Sequence, residues 1–219
     1  MDSIGHAIQT ICVYALPLIF AITLHEAAHG WVASLLGDPT AKMQGRVTMN
    51  PLPHIDPVGT IAVPVGLVIL STFTMGLGFI IGWAKPVPIN PWNFRGNRER
   101  GMMLTALAGP ASNAVQMIVW TLLIKFAFLS GINEEFVYRV CEAGIKVNLI
   151  LMAFNLIPIP PLDGGRILHW FLPKQAGDLL DRIEPYGMVV LLVLMVAGAL
   201  NFLLRPFLLF GQWLINLVL

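Results

Sequence analysis

The stretch Ile19-Phe-Ala-Ile-Thr-Leu-His-Glu-Ala-Ala-His-Gly-Trp-Val-Ala-Ser-Leu-Leu36 sets two histidines and a glutamate inside an apolar run. Ionisable groups are costly at membrane depth, so such a cluster points to a functional site. Residues four apart on a helix lie on one face, so His25 and His29 can both present a ring nitrogen to one tetrahedral zinc ion. Glu26 projects about 100° round from His25. From there it can reach a water beside the metal rather than the metal itself, as a general base should. The bland alternative, polar residues hydrogen-bonding between helices or at an interface, would leave Glu26 buried at a high cost.

The surrounding chain supports a membrane setting. Of its 219 residues 57% are hydrophobic and 11% charged, against about 25% charged in an ordinary soluble domain. We expect a polytopic α-helical membrane protein forming a single domain over residues 1–219. At about 20 residues per span there is room for roughly five or six transmembrane or re-entrant segments, and none for a long extramembrane insert. The net charge of +1 says little about partners, and no basic run interleaved with aromatics supports nucleic-acid binding. Cys12 and Cys141 form no CxxC or Cys/His cluster, which argues against a disulfide framework or a cysteine zinc site. The first residues carry Asp2 and His6 instead of a basic n-region and run on into the His/Glu cluster, so they read as a retained first span.

The first helix is expected over residues 4–36, stopped by Gly37-Asp38-Pro39. A strand-like stretch follows at 42–50, then the proline-rich 51–57. Residues 58–82 are apolar but broken by Pro64, Gly66, Gly76, Gly78 and Gly82. A second strand-like piece covers 82–89, and spans are expected at about 101–128, 143–157 and 185–204, leaving an apolar end too short to assign. Three basic groups, Lys42 with Arg46, Arg95 with Arg98 and Arg100, and Arg166 with Lys174 and Arg182, flank these spans, while the loop near Glu134, Glu135 and Glu142 is acidic. Placing all three basic groups in the cytosol requires 58–82 to enter and leave on one side, as a re-entrant or bent hairpin lining a wet cavity.

A catalytic zinc site needs a third protein ligand and an open position. The best candidate is Asp163 in Phe154-Asn-Leu-Ile-Pro-Ile-Pro-Pro-Leu-Asp-Gly-Gly-Arg166, where a span meets a cationic loop on the same side as the segment after His29. The prolines stop the helix, and Gly164 with Gly165 permit a close approach. In isolation Asp-Gly-Gly would be an ordinary turn or helix cap.

Together, His25-Glu26-Ala-Ala-His29, Asn155-Leu-Ile-Pro158-Ile-Pro160-Pro-Leu162-Asp163-Gly164-Gly165 and Ala108-Gly109-Pro110-Ala-Ser-Asn113 resemble the motifs of the site-2 protease family of intramembrane zinc metalloproteases. The form is the compact prokaryotic one without a PDZ or CBS domain. The resemblance implies a three-helix catalytic core and one Zn2+ held by His25, His29 and Asp163. It also implies Glu26 as general base and cleavage of a single-span membrane protein near the cytosolic face of a prokaryotic plasma membrane. It further implies a small membrane-associated β-sheet from the strand-like pieces, whose edge would hold an unwound substrate. Asn113 and Asn155 become substrate-binding candidates, Asn155 being equally a helix cap. His54, in Asn50-Pro-Leu-Pro-His-Ile-Asp-Pro57, could donate to an oxyanion or be a loop histidine exposed to water. Gating would fall to the membrane core or a separate regulatory partner. A membrane metal-binding or transport protein and an inactive relative are the alternatives.

Overall fold

The computed structural model describes residues 2–62 and 84–218. Helix α1 (Asp2–Leu35) continues through Pro17 and stops beside the expected breaker. One helical turn, α2 (Thr40–Met43), follows. Beyond residue 84 come α3 (Arg98–Leu129), α4 (Glu135–Asn155), α5 (Asp163–Phe171) and α6 (Lys174–Ile183), then α7 (Gly187–Val196) and α8 (Leu200–Val218). Helices α1, α3 and α4 pack against one another as the core, α5 lies on α3, and α8 leans on α3 and α4.

Among the described residues, three helical stretches are long and apolar enough to cross a bilayer: Ile8–Leu35 within α1, Arg98–Leu129 and Leu200–Val218. Their interior is small and polar while their outer faces are large and apolar. Ala21, Thr23, Thr105, Ala106, Asn113, Thr121, Ala143 and Asn148 are buried, whereas Ile8, Ile11, Leu16, Val115, Leu122 and Phe126 are exposed. This suits a lipid surround, in which close backbone approach and interhelical hydrogen bonds hold helices together. Helix α4 shares the core but begins with Glu135, Arg139, Glu142 and Lys146, paired one turn apart on its exposed side. The span expected at 143–157 is therefore the second half of a longer, partly charged helix.

Two sequence expectations need correction. The span expected at 185–204 is broken: α7 ends at Val196, and the turn that follows has Gly198 at φ +71°. The long terminal helix is α8, which runs through Pro206 into the stretch thought too short to assign. The expected sheet also does not form among the described residues. Residues 44–45 form a turn and 47–49 a bend, and 84–90 carry no regular secondary structure and no ladder, with Asn90 extended (φ −111°, ψ 102°). Pro86 and Pro88 lack the N–H groups a strand would need. The segment is tied by other donors and acceptors: Lys85 N–H donates to the His54 carbonyl (2.9 Å), and Arg46 Nη2 to the carbonyls of Lys85 (2.6 Å) and Pro86 (3.3 Å). The hairpin expected over 58–82 falls almost wholly outside the described residues. Only its first helical turn, within Pro57–Ala62, is described.

Asp38, read from sequence only as part of a breaker, fastens the end of α1 to the approach to α3. It is fully buried. Its Oδ2 accepts the Asn90 N–H at 2.6 Å, and its Oδ1 accepts from Asn93 Nδ2 at 2.9 Å, from the Thr40 N–H at 3.1 Å and from the Thr40 hydroxyl. Desolvation pushes its pKa up, but the Thr40, Asn93 and Asn90 donors more than offset this and hold it below the usual carboxylate value. Its contribution to stability is therefore complete above the unfolded-state pKa and is lost as pH falls through the lower folded one. Asp38→Ala is expected to destabilise the protein by about 2–3 kcal/mol. Thermal unfolding in detergent should show that deficit at neutral pH and a smaller one in acid.

Candidate metal centre

Residues from α1 and the start of α5 meet at one point. His25 Nε2 and His29 Nε2 are 3.1 Å apart, and Asp163 Oδ2 lies 3.2 Å from the first and 3.4 Å from the second. Both histidines are buried. Asp163 is the first residue of α5, with Leu162 in the N-cap position and no side-chain cap. Its carboxylate thus faces the imidazoles instead of capping its own helix. Gly164 makes that placement feasible: a β-carbon there would lie 2.3 Å from the carbonyl oxygens of Leu156 and Ile157.

The hydrogen bonds behind the rings fix where their protons sit. Asn148 Nδ2 donates to the Gly144 carbonyl at 2.9 Å, so its Oδ1 is the atom facing Asn113. Asn113 Nδ2 donates to that oxygen at 3.0 Å and to the Ala21 carbonyl at 3.2 Å, leaving Asn113 Oδ1 to accept from His25 Nδ1–H at 2.6 Å. His29 Nδ1–H likewise donates to the Thr105 carbonyl at 2.7 Å. In the neutral rings both Nε2 atoms are then bare lone pairs. Among the described residues, no hydrogen-bond donor faces the buried Asp163 Oδ2.

Three electron-rich atoms at mutual contact with no hydrogen between them repel one another unless a cation lies among them. Ligands at about 2.0–2.1 Å around a tetrahedral zinc are separated by about 3.3–3.4 Å, close to the spacings found. Two imidazoles and one carboxylate are also a catalytic zinc donor set, and the outer partners Asn113 and Thr105 are of the kind that orient such ligands. Space for the rings comes from α3: a β-carbon at Gly109 would lie 2.4 Å from His29 Nε2 and 2.5 Å from His25 Cε1.

The other expected site residues fall into different places. Glu26 lies beside the cluster, and its Oε2 accepts the Val87 main-chain N–H at 3.0 Å. Asn113, expected to meet substrate, is fully buried and its amide is occupied by His25, Ala21 and Asn148. Asn155 closes α4, and its Nδ2 turns back to the Leu151 carbonyl at 3.0 Å. His54 is not a water-exposed loop residue: it is 2% exposed, in the turn Leu52–His54. Burial, partly opposed by its contact with the Thr48 carbonyl, pushes its pKa below the usual histidine value. With Nε2–H directed at that carbonyl (3.3 Å), its buried Nδ1 is a bare acceptor without a partner among the described residues. An oxyanion donor would need the other tautomer. Sequence reasoning missed Thr105, whose role runs through its carbonyl, and Asn148. A buried asparagine on an apolar helix was the available signal for the latter.

If Asn113 orients His25, Asn113→Leu is expected to weaken zinc binding about 10–100-fold in competition against a chelator. Gly109→Val should abolish the site altogether, as read by the zinc content of the purified protein.

Comparison with known proteins identifies relatives of the chain. Residues 133–198 match the family model described as Peptidase family M50. The chain is 37% identical over 205 residues to "Putative zinc metalloprotease YwhC" of Bacillus subtilis, covering 89% of this chain and 85% of that protein. It is 29% identical over 183 residues to "Putative zinc metalloprotease Rip2" of Mycolicibacterium smegmatis, covering 84% of this chain and 66% of the relative. "Zinc metalloprotease MJ0392" of Methanocaldococcus jannaschii is 32% identical over 105 residues, or 47% of this chain and 30% of that protein. No solved structure matches the chain. With the YwhC similarity running through most of both proteins, the chain belongs to peptidase family M50, the site-2 protease family.

Proposed function

We propose that this integral membrane protein is an intramembrane zinc endopeptidase that hydrolyses a peptide bond within or near the transmembrane segment of a single-span substrate. The observation that carries the proposal is the convergence of His25 Nε2, His29 Nε2 and Asp163 Oδ2 at 3.1–3.4 Å, with the Glu26 carboxylate alongside. Those three residues would hold the ion. Zinc, when bound, supplies Lewis acidity toward a carbonyl and makes a neighbouring water much more acidic.

The protein's own groups do the rest. Glu26 takes the proton from the attacking water and delivers it to the leaving amine. Asn113 and the Thr105 carbonyl hold the two imidazoles with Nε2 inward, so no ring reorganisation accompanies the reaction. The packed helices α1, α3 and α4 keep lipid away from the polar centre. A helical substrate shields its own peptide bonds, so it must unwind before attack. The Pro86-Val87-Pro88 stretch offers no continuous row of donors, so any strand addition would use another edge. The basic flanks of the spans favour the cytosolic side of a prokaryotic plasma membrane for the site.

The test is co-expression with a library of tagged single-span membrane proteins, comparing wild type with Glu26→Gln for cleaved products. Glu26→Gln should keep zinc and lose cleavage, by a factor of about 10²–10⁴ for a general base. His25→Ala and Asp163→Ala should lose the metal as well. Full activity in purified Glu26→Gln would remove the mechanism. Zinc flux into proteoliposomes without cleavage of any library member would replace the protease with a transporter.

A further inference from the structure

Glu26 is on a helix, but its carboxylate is oriented from outside that helix. The donor it meets is a main-chain group: the Val87 N–H, 3.0 Å from Oε2. A carboxylate at the end of a flexible side chain has several rotamers, and a general base works only from one of them. A charge-assisted hydrogen bond to one oxygen selects a rotamer and leaves the other oxygen to receive a proton.

The arm bearing this N–H is built to stay in place. Prolines on both sides of Val87 fix their own φ angles and favour an extended backbone at the residue before each of them. They also remove neighbouring N–H groups, so Val87 has the single main-chain donor between Lys85 and Ile89. Upstream the arm is clamped at Lys85, whose N–H donates to the His54 carbonyl and whose own carbonyl accepts from Arg46. Arg46 is 6% exposed, deep enough to act as a clamp and not as a solvated surface cation. Downstream, the Asn90 N–H is held by Asp38. Val87 is itself buried and sits on α1 at Gly30, where a β-carbon would come within 3.1 Å of Val87 Cγ1. Gly30 is one turn beyond Glu26 on the same helix face. Packing at Gly30 therefore sets the height at which the Val87 N–H meets the carboxylate.

We propose that the Val87 main-chain N–H is a positioning group for Glu26, delivered by a proline-stiffened arm that Arg46 and the His54 carbonyl clamp to the body of the protein. The proposal rests on Glu26 being the base. It gives Arg46 and His54 a supporting part in the reaction without contact with substrate.

A backbone donor can be removed without its side chain. Replacing Val87 by its α-hydroxy acid turns the amide into an ester: it deletes the N–H and weakens the Pro86 carbonyl as an acceptor for Arg46 (3.3 Å), while the shorter Arg46 contact to the Lys85 carbonyl is kept; Val87→Pro deletes the N–H genetically. Steady-state cleavage of a tagged single-span protein identified in the library screen, in detergent micelles, should show kcat reduced about tenfold or more in the ester protein. KM should stay within about twofold and zinc content should be unchanged. In zinc-free protein, Glu26→Ala should speed hydrogen exchange of the Val87 amide while the Lys85 amide stays protected. An ester protein with wild-type kcat, or one altered only in KM, overturns the positioning role even if Glu26→Gln is inactive. An active Glu26→Gln overturns the base assignment instead. If Val87→Pro folds poorly, the ester protein decides.

Discussion

In an apolar surround each buried polar group must find its partner inside the protein, and Asn113 of α3 does so with three partners on two other helices. Its amide nitrogen reaches the Ala21 carbonyl of α1 and the Asn148 side chain of α4, and its oxygen receives the His25 Nδ1–H. The same contacts join the core helices and decide which nitrogen of His25 is bare. Thr105 does for His29 through its carbonyl what Asn113 does for His25. Helix packing and ligand chemistry are thus one requirement here, since sliding α3 along α1 would disturb both rings together.

Outside the helical core the site depends on backbone groups. Asp38, Arg46 and the His54 carbonyl each bind the 84–90 segment, fixing it from several directions without a sheet. Buried polar side chains here stand in for a neighbouring strand. That arrangement tolerates Pro86 and Pro88, which a central strand would not. It also lets two charged residues serve structure at a place where the sequence suggests only a helix stop and a cytosolic loop.

Much of the centre was legible beforehand because metal chemistry constrains residue type and spacing together. His25, Glu26 and His29 can share a site only on a helix, and Asp163 between prolines and glycines was a plausible third donor. The limits of α1 followed from Gly37-Asp38-Pro39. Asn113 was visible in the same way, but a motif indicates that an amide is needed without saying whether it faces substrate or a histidine; here it meets His25. The sheet was inferred from residues that favour extended backbone; the described residues 84–90 form no ladder, since prolines and side-chain donors take its place. The boundary between α7 and α8 was hidden because hydropathy is high on both sides of Gly198. An apolar run records burial in lipid and carries no information about where the helix axis turns.

The placement of Asp163 at the head of α5, instead of within a core helix, has a consequence for how the parts hold together. Helix α5 rests on α3, whereas the two imidazoles belong to α1. An ion shared by these groups would be a cross-link between segments far apart in the chain, closing a long loop and lowering the entropy of the unfolded state. Loading the metal would then do more than arm the enzyme. It would latch the segment that follows α4 onto α1, so the empty protein would have a looser joint between those two segments.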